Sequence, residues 1–155
     1  MRETLHNVDF CVIGGGLSGL CAAIAAARKG IKVAIMQDRP MFGGNASSEI
    51  RMWICGAHGR DNRETGIIEE IMLKNFYENP QLSYPVWDAV LYNFVAHTEN
   101  LTVLLNTSCF DAECKNNRII YSFPPFSAPF FGSGRAELCL KAPPRTPAAA
   151  IDLKQ

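Results

Sequence analysis

The sequence has no excess of charge of either sign, because 15 lysines and arginines balance 15 aspartates and glutamates. Because there is no basic excess, we expect no nucleic-acid partner. Because there is no acidic excess, we expect no acidic tail that acts as a solvating segment. Residues 1–7 lack the charged-then-apolar order of a signal peptide. No apolar run reaches the roughly 18–20 residues of a membrane-spanning helix. We therefore expect a cytoplasmic protein with no membrane partner.

No two of the 6 cysteines form a CxxC pair. Cys109 and Cys114 are too isolated to build a zinc site by themselves, so we expect no metal. Cys11 and Cys21 fall in apolar stretches, where a free cysteine acts as a small hydrophobic residue. A disulfide framework is not expected in a chain whose residues are 48% hydrophobic.

The beginning of the chain has the pattern of a βαβ unit. A β-rich run at Val8–Ile13 ends in glycines, and an alanine-rich helix is predicted at Leu17–Lys29, ending before Gly30. A second strand follows at Ile31–Met36. Strand, helix and strand within about 30 residues indicate a parallel sheet.

Two more helices and a third strand are predicted further along, at Glu64–Asn79, Pro85–Thr98 and Leu101–Leu105. In the first helix Glu70 and Lys74 have the i,i+4 spacing of an ion pair. Its predicted apolar face consists of Ile67, Ile68, Ile71, Met72 and Phe76, and that of the second helix of Trp87, Val90, Leu91, Phe94 and Val95. Residues 110–120 are expected to form a pair of short strands. The fold class predicted is Rossmann-like α/β, with strands 101–105, 31–36 and 8–13 adjacent in that order.

The strongest motif is the GxGxxG sequence at Gly14, Gly16 and Gly19, with Gly15, Leu17 and Ser18 between. It follows a predicted strand and opens a predicted helix, the context in which the motif indicates dinucleotide binding. Gly14 permits a tight turn, Gly16 lets the backbone approach a pyrophosphate, and Gly19 lets the helix pack against the strand. The alternative is a glycine-rich turn without a ligand.

A dinucleotide site also needs a ribose partner about 20 residues past the loop. Gln37 directly follows the second strand, where a carboxylate is usual, and Asp38 comes next. Either side chain is a candidate to hydrogen-bond the ribose, and the sequence leaves the choice open.

Residues 9–19, Val33–Met36 and 43–47 together resemble the FAD-dependent oxidoreductases with a glutathione-reductase-type nucleotide fold. In such flavoproteins a second glycine pair after the second strand runs beside the pyrophosphate and flavin. Gly43 and Gly44, followed by Asn45, match that pair, so the resemblance implies FAD and disfavours a domain that binds only NAD(P). It also implies that the stretch 101–112 touches the adenine, which would involve Cys109 and Phe110.

Residues 45–59 resemble a narrower branch of FAD-dependent oxidoreductases. Some wider relatives resemble the flavoprotein subunit of heterodisulfide reductase, which carries iron–sulfur clusters. This chain lacks the cysteine spacing of such clusters, so that property does not carry over.

Cys55 and His58 form a CxxH sequence that we weigh as catalytic redox or proton-transfer groups near the flavin. The alternative is a structural loop with a buried cysteine and a hydrogen-bonded histidine. Arg51, Arg60 and Arg63 flank this loop, either as ligands of an anionic substrate or as solvated side chains.

The composition changes after residue 120, and six of the 9 prolines lie between Pro124 and Pro147. We therefore divide the chain into an FAD-binding domain at 1–120 and an irregular, proline-rich tail at 121–155. The resemblance also implies further strands, a substrate domain and a late Gly-Asp motif, which are not found in this sequence. We therefore expect a truncated chain that binds FAD weakly or not at all and turns over no substrate. The function indicated is flavin-mediated hydride or electron transfer with an unknown small-molecule substrate. The alternative is an inactive dinucleotide-binding module.

Overall fold

The computed structural model describes residues 2–56, 64–109, 113–115, 118–121 and 134–140. They form two sheets and three α-helices. The strands are β1 (Arg2–Val8), β2 (Phe10–Ile13), β3 (Val33–Met36), β4 (Leu101–Leu104), β5 (Glu113–Lys115), β6 (Arg118–Tyr121) and β7 (Gly134–Leu140), and the helices are α1 (Leu17–Arg28), α2 (Ile67–Glu78) and α3 (Tyr84–Ala96).

The first sheet is parallel and has the order β2-β3-β4. Val12 lies beside Ile35, and Ile35 lies beside Val103. The predicted α/β class and the predicted adjacency of these three strands are confirmed. Because α1 joins β2 to β3, the first 36 residues contain the expected βαβ unit.

The central strand β3 is buried on both faces. Val33 and Ile35 face the main core, whereas Ala34 and Met36 face a smaller cluster on the opposite side. This alternation follows from the two-residue period of a strand. The main core gathers apolar side chains from all three helices: Leu20, Ala23, Ile24, Ala27, Ile71, Trp87, Val90, Leu91 and Val95. The helices therefore cover one face of the parallel sheet.

The second sheet has the order β1-β7-β6-β5, in which β1 and β7 are parallel and the other pairs are antiparallel. The expected pair of short strands is confirmed as β5 and β6. Two expectations are corrected. The strand predicted at Val8–Ile13 is interrupted at Asp9, with Val8 in the second sheet and residues 10–13 in the first. The tail predicted to be irregular contains β7, and its residues 122–133 and 141–155 lie outside the described part.

Helix α2 differs most from its prediction. Of the five side chains predicted on its apolar face only Ile71 is buried, and Phe76 is 60% exposed. Glu70 does not pair with Lys74. It accepts two hydrogen bonds from the Arg28 guanidinium of α1, at 2.7 and 3.0 Å, while Lys74 pairs with Glu78 at 2.7 Å. In α3 the predicted core positions are confirmed, with Phe94 partly buried.

None of the helices in the described part of the chain is long and apolar enough to span a membrane.

Candidate functional site

The loops that follow the three parallel strands meet at the carboxyl edge of the sheet, where doubly wound folds bind their ligands. A cavity of about 390 Å³ opens there. It is lined by Ile13, Gly14, Met36, Gln37, Asp38, Thr107, Ser108 and Cys109. Four predicted cofactor-binding residues from three different loops are thus brought to one place: Gly14, Gln37, Asp38 and Cys109. We call this space the β-edge cavity.

Three glycines of the GxGxxG loop are required by the protein's own packing. Gly14 has a φ of 109°, which disfavours any side chain, and its N–H donates to the Met36 carbonyl at 2.9 Å. A Cβ on Gly15 would stand 2.5 Å from Cδ1 of Phe42, and one on Gly19 would overlap the Gly14 carbonyl oxygen. The predicted roles of Gly14 in the turn and of Gly19 in helix packing agree with this geometry.

Gly16 differs from the other loop glycines. Its φ of −66° and ψ of 171° suit any residue, and a Cβ placed on it would meet no atom of the described residues within 4 Å. The fold therefore does not itself require glycine here. A side chain at this position would instead fill the open space in front of the loop, which is the space that a closely approaching pyrophosphate needs.

The start of α1 provides hydrogen-bond donors to the same space. Leu20 is the first helical residue whose N–H reaches back into the loop, donating to the Gly16 carbonyl at 2.9 Å. The N–H groups of Leu17, Ser18 and Gly19 come earlier and have no intrahelical acceptor. No side chain caps this end, and its first turn holds no acidic residue. A helix N-terminus of this kind attracts an anion through its dipole and its free amides.

The Gln37 side chain already has hydrogen-bond partners within the protein, and its role toward the ribose stays a prediction. Its side chain is buried, Oε1 accepts a hydrogen bond of 2.7 Å from the Gly15 N–H, and Nε2 donates to the Met41 carbonyl at 3.3 Å. A neutral amide serves here because it can accept from one loop and donate to the other at once. Asp38 also lines the β-edge cavity and is exposed, so its carboxylate is the more accessible of the two candidates for the ribose.

The second glycine pair lies against the first loop. Gly43 donates its N–H to the Gly15 carbonyl at 2.8 Å and bridges to Gly16, while a Cβ on Gly44 would stand 3.3 Å from the Gly16 Cα. Both residues have positive φ, 109° and 57°. The pair predicted to run beside the pyrophosphate does run beside the predicted pyrophosphate loop.

A second cavity, of about 410 Å³, opens on the other side of this glycine contact. We call it the loop cavity. Its lining comprises Gly16, Leu17, Ser18, Gly43, Asn45, Ala46, Met52, Trp53 and Ile54. Asn45, predicted to lie at the flavin end, is exposed and belongs to this lining. The GxGxxG loop thus separates two cavities, one beside Asp38 and one beside Asn45.

The predicted catalytic pair is only partly described. Cys55 is exposed and directly follows Ile54 of the loop cavity, but it is not among the residues that line it. His58 lies outside the described residues, as do Arg60 and Arg63. The role of Cys55 and His58 therefore stays a prediction.

Two cysteines pack on one small apolar cluster, and one of them, Cys109, also lines the β-edge cavity. Cys11 of β2 and Cys109 after β4 pack on the same small cluster with Ala34 and Met36. Burial, with a smaller contribution from Cys109, raises the pKa of Cys11 to about 11. Cys11 is therefore a neutral packing group at physiological pH, as expected of a cysteine in an apolar strand.

Sequence reasoning missed Thr107 and Ser108 in the β-edge cavity. The Thr107 N–H donates to the Gln37 carbonyl at 2.9 Å, which ties the loop after β4 to the loop after β3. It also missed Met52, Trp53 and Ile54 in the loop cavity. The signal that could have found these three residues is their apolar character, since they lie just past the second glycine pair and outside every predicted helix and strand.

Comparison with known proteins adds family evidence to this geometry. Residues 9–122 match the family described as FAD dependent oxidoreductase. Glycerol-3-phosphate dehydrogenase of Mycobacterium leprae (strain TN) is 34% identical over 71 residues, which are 46% of this chain and 12% of that protein. Soluble pyridine nucleotide transhydrogenase of Ectopseudomonas mendocina (strain ymp) is 44% identical over 43 residues, 28% of this chain and 9% of that protein. The chain thus spans about an eighth or less of these relatives.

Among solved structures, L-proline dehydrogenase from P. horikoshii superposes with a TM-score of 0.50 and 20% identity. The superposition covers 91% of this chain and 22% of that one. At this identity the likeness concerns the fold, which is that of the N-terminal part of an FAD-binding domain. With the parallel sheet, the glycine loop and a family match over most of its length, the chain belongs to the FAD-dependent oxidoreductase family.

Proposed function

We propose that this chain holds FAD as the dinucleotide-binding part of an oxidoreductase. The observation that carries the proposal is the open space at Gly16, bordered by the free amides of Leu17, Ser18 and Gly19. FAD is the cofactor of the family, and its pyrophosphate is the anion that this arrangement suits.

The two cavities on either side of the loop support an assignment of the two halves of the cofactor. The β-edge cavity suits the adenosine half, with Asp38 as the acceptor for a ribose hydroxyl and Cys109 beside the adenine. The loop cavity suits the flavin half, with Asn45 as a polar neighbour. The residues that would hold the diphosphate between them are those of the glycine loop and of the Gly43–Gly44 pair.

When bound, FAD supplies the hydride and electron chemistry of the family. The contribution of this chain is to bind and orient. The amides at the start of α1 would donate hydrogen bonds to the diphosphate, and the Gln37 side chain joins the glycine loop at Gly15 to Met41, just before the second glycine pair. Catalysis by Cys55 and His58, transfer to or from a small-molecule substrate, and a cytoplasmic location remain parts of the proposal.

The alternative is a dinucleotide-binding module without catalysis. It shares the binding site and differs only in turnover. This alternative is supported by the small share of each relative that the chain spans, 12% and 9%. Electron transfer from a donor to an artificial dye through the bound flavin would favour the oxidoreductase.

The binding proposal is tested with FAD, FMN and riboflavin, titrated into the purified chain and followed by flavin fluorescence anisotropy. We expect FAD to bind at least about tenfold more tightly than FMN, because only FAD offers the diphosphate and the adenosine together. Equal affinities for the three flavins would contradict the proposal.

Asp38→Asn is the variant that tests the ribose assignment. It should weaken FAD by about fivefold, the value of one hydrogen bond to a charged acceptor at an exposed position, and leave riboflavin unchanged. Glu99→Gln is the matched control, since it removes one carboxylate before β4, at the opposite edge of the sheet. An equal loss in both variants would remove Asp38 from the site.

A further inference from the structure

An apolar cavity of about 320 Å³ lies between α2, α3 and residues 52–54. We call it the tryptophan cavity, because Trp53 and Trp87 both line it. Trp53 is 79% exposed at its mouth, and Trp87 is buried at its base, where its Nε1 donates to the Ala46 carbonyl at 2.8 Å. Its volume and its largely apolar walls are those of a site for a small organic molecule.

The tryptophan cavity shares a wall with the loop cavity. Ala46, Met52, Trp53 and Ile54 line both. A molecule in the tryptophan cavity would therefore lie one residue layer from the space that suits the flavin half of the cofactor. Neighbouring positions of this kind are what a substrate and a flavin require.

Asn75 leaves a hydrogen-bond donor in the wall for a ligand. Asn79 donates from Nδ2 to the Asn75 Oδ1 at 2.9 Å and is otherwise held by the Ser83 backbone, with two hydrogen bonds of 2.8 Å. The Asn75 Oδ1 is thereby used, while its Nδ2 has no acceptor among the described residues. Asn75 can therefore orient a ligand oxygen inside an otherwise apolar space.

A cation lies next to one wall residue, although Arg51 itself is not among the residues that line the cavity. The Arg51 guanidinium lies 5.9 Å from the centroid of the Tyr84 ring, which lines the cavity. Its Nε donates to the Ser48 carbonyl at 3.0 Å, and no carboxylate of the described residues pairs with it. Among the described residues its two terminal nitrogens have no partner, so they can recognise a carboxylate in the fork-like manner of a guanidinium.

The backbone of Arg51 has an energetically unfavourable conformation. Its φ is 61°, a region that residues with a long side chain rarely adopt. The conformation is fixed on both sides, because the Arg51 N–H donates to the Ser47 carbonyl at 2.8 Å and the Tyr84 hydroxyl donates to the Arg51 carbonyl at 2.7 Å. Strain that several contacts maintain is typical of functional positions.

We propose that the tryptophan cavity binds a small carboxylate with a flat apolar body, its charged end at Arg51 and its apolar end against Trp87. Its assignment as the substrate site rests on the proposed function above. The substrate class would then be an apolar carboxylic acid.

The test compares 4-phenylbutyrate with 4-phenylbutan-1-ol, which share the apolar body and differ in the charged end. The chain has 2 tryptophans and both line the cavity, so intrinsic tryptophan fluorescence reports on this site. We expect the carboxylate to bind about fivefold more tightly than the alcohol, as for an exposed ion pair. The difference should shrink as salt is added.

Arg51→Asn removes the charge while keeping a residue that tolerates positive φ, and Arg51→Lys keeps the charge. We expect the preference for the carboxylate to vanish in R51N and to persist in R51K. Lys74→Gln is the control, because it removes a cation of α2 that pairs with Glu78 and does not line the cavity. Loss of the preference in K74Q, or its survival in a folded R51N, would overturn the role of Arg51.

The same samples are titrated with FAD, so the two proposals can fail separately. No fluorescence response to either phenyl compound, in a chain that binds FAD, would overturn the tryptophan cavity alone. A response without FAD binding would support the cavity and contradict the proposed function.

Discussion

Gly16 and Gly19 belong to one motif and are glycine for different reasons. Alanine at position 19 would overlap the Gly14 carbonyl and approach Val12, whereas alanine at position 16 would project into open space with an ordinary φ. We predict that Gly19→Ala lowers the free energy of unfolding by about 1–3 kcal/mol, the cost of overpacking. Gly16→Ala should leave it unchanged or raise it by about 0.5 kcal/mol. Urea unfolding measures both.

The same pair separates folding from binding. Gly16→Ala should weaken FAD by about tenfold or more, because its new methyl group occupies the space assigned to the diphosphate. A variant as stable as the parent that also bound FAD equally well would contradict the assignment of that space.

At this scale the sequence predicted motif residues better than their partners. The turn at Gly14 and the close packing at Gly19 follow from the spacing of the motif. Gln37 could not be assigned, because a side chain after a strand can turn to a ligand or to the next loop, and only the position of Gly15 and Met41 decides this. No spacing in the sequence links Arg51 or Trp53 to the residues that lie near them in the fold.

At the scale of elements, a bidentate ion pair between Arg28 of α1 and Glu70 of α2 is present in place of the predicted pair between Glu70 and Lys74. The hydrogen bond from Arg28 lowers the pKa of the Glu70 carboxyl. A lowered pKa means that the contact stabilises the fold at pH values above the pKa that Glu70 has in the unfolded chain. The stabilisation is lost as the pH falls through the lower pKa that Glu70 has in the folded protein. Because both side chains are 43–48% exposed, we discount the contribution to about 0.5 kcal/mol.

The prediction is that Glu70→Gln lowers the unfolding free energy by about this amount at neutral pH and by nothing once Glu70 is protonated in acid. Double-mutant cycles of Glu70 with Arg28 and with Lys74 identify the partner. A coupling energy with Lys74 but none with Arg28 would be the contrary result.

Local periodicity was sufficient to predict α1, α3 and the parallel strands, since each buries a face that its own residues specify. It was not sufficient for β1 and β7. Those strands pair across more than 125 residues of chain, with Arg2 beside Gly134, and no local pattern encodes such a partner. The break at Asp9 follows from the same pairing, because Val8 pairs with Leu140 and Phe10 with Val33.

At the scale of the whole molecule, the carboxyl edge of the parallel sheet carries every described residue assigned to the diphosphate and adenosine. Its strand β2 pairs only with β3 among the described strands, and Phe10 and Ile13 of β2 are 41% and 49% exposed. The relatives that the chain matches are much longer, since it spans 12% and 9% of two of them. The fold class and the position of the site were predictable because the βαβ unit is local. The tryptophan cavity was not, because it forms only when α2 and α3 pack against residues 52–54.

The central claim is that free amides at the start of α1 bind a dinucleotide's diphosphate. The most direct measurement is a titration of the ¹⁵N-labelled chain with ADP, followed by amide chemical shifts in two-dimensional NMR. The predicted result is that the amides of Gly16, Leu17, Ser18 and Gly19 shift most, together with Asp38. Saturable ADP binding that shifts amides elsewhere and leaves these unmoved, or no binding at all, would contradict the account.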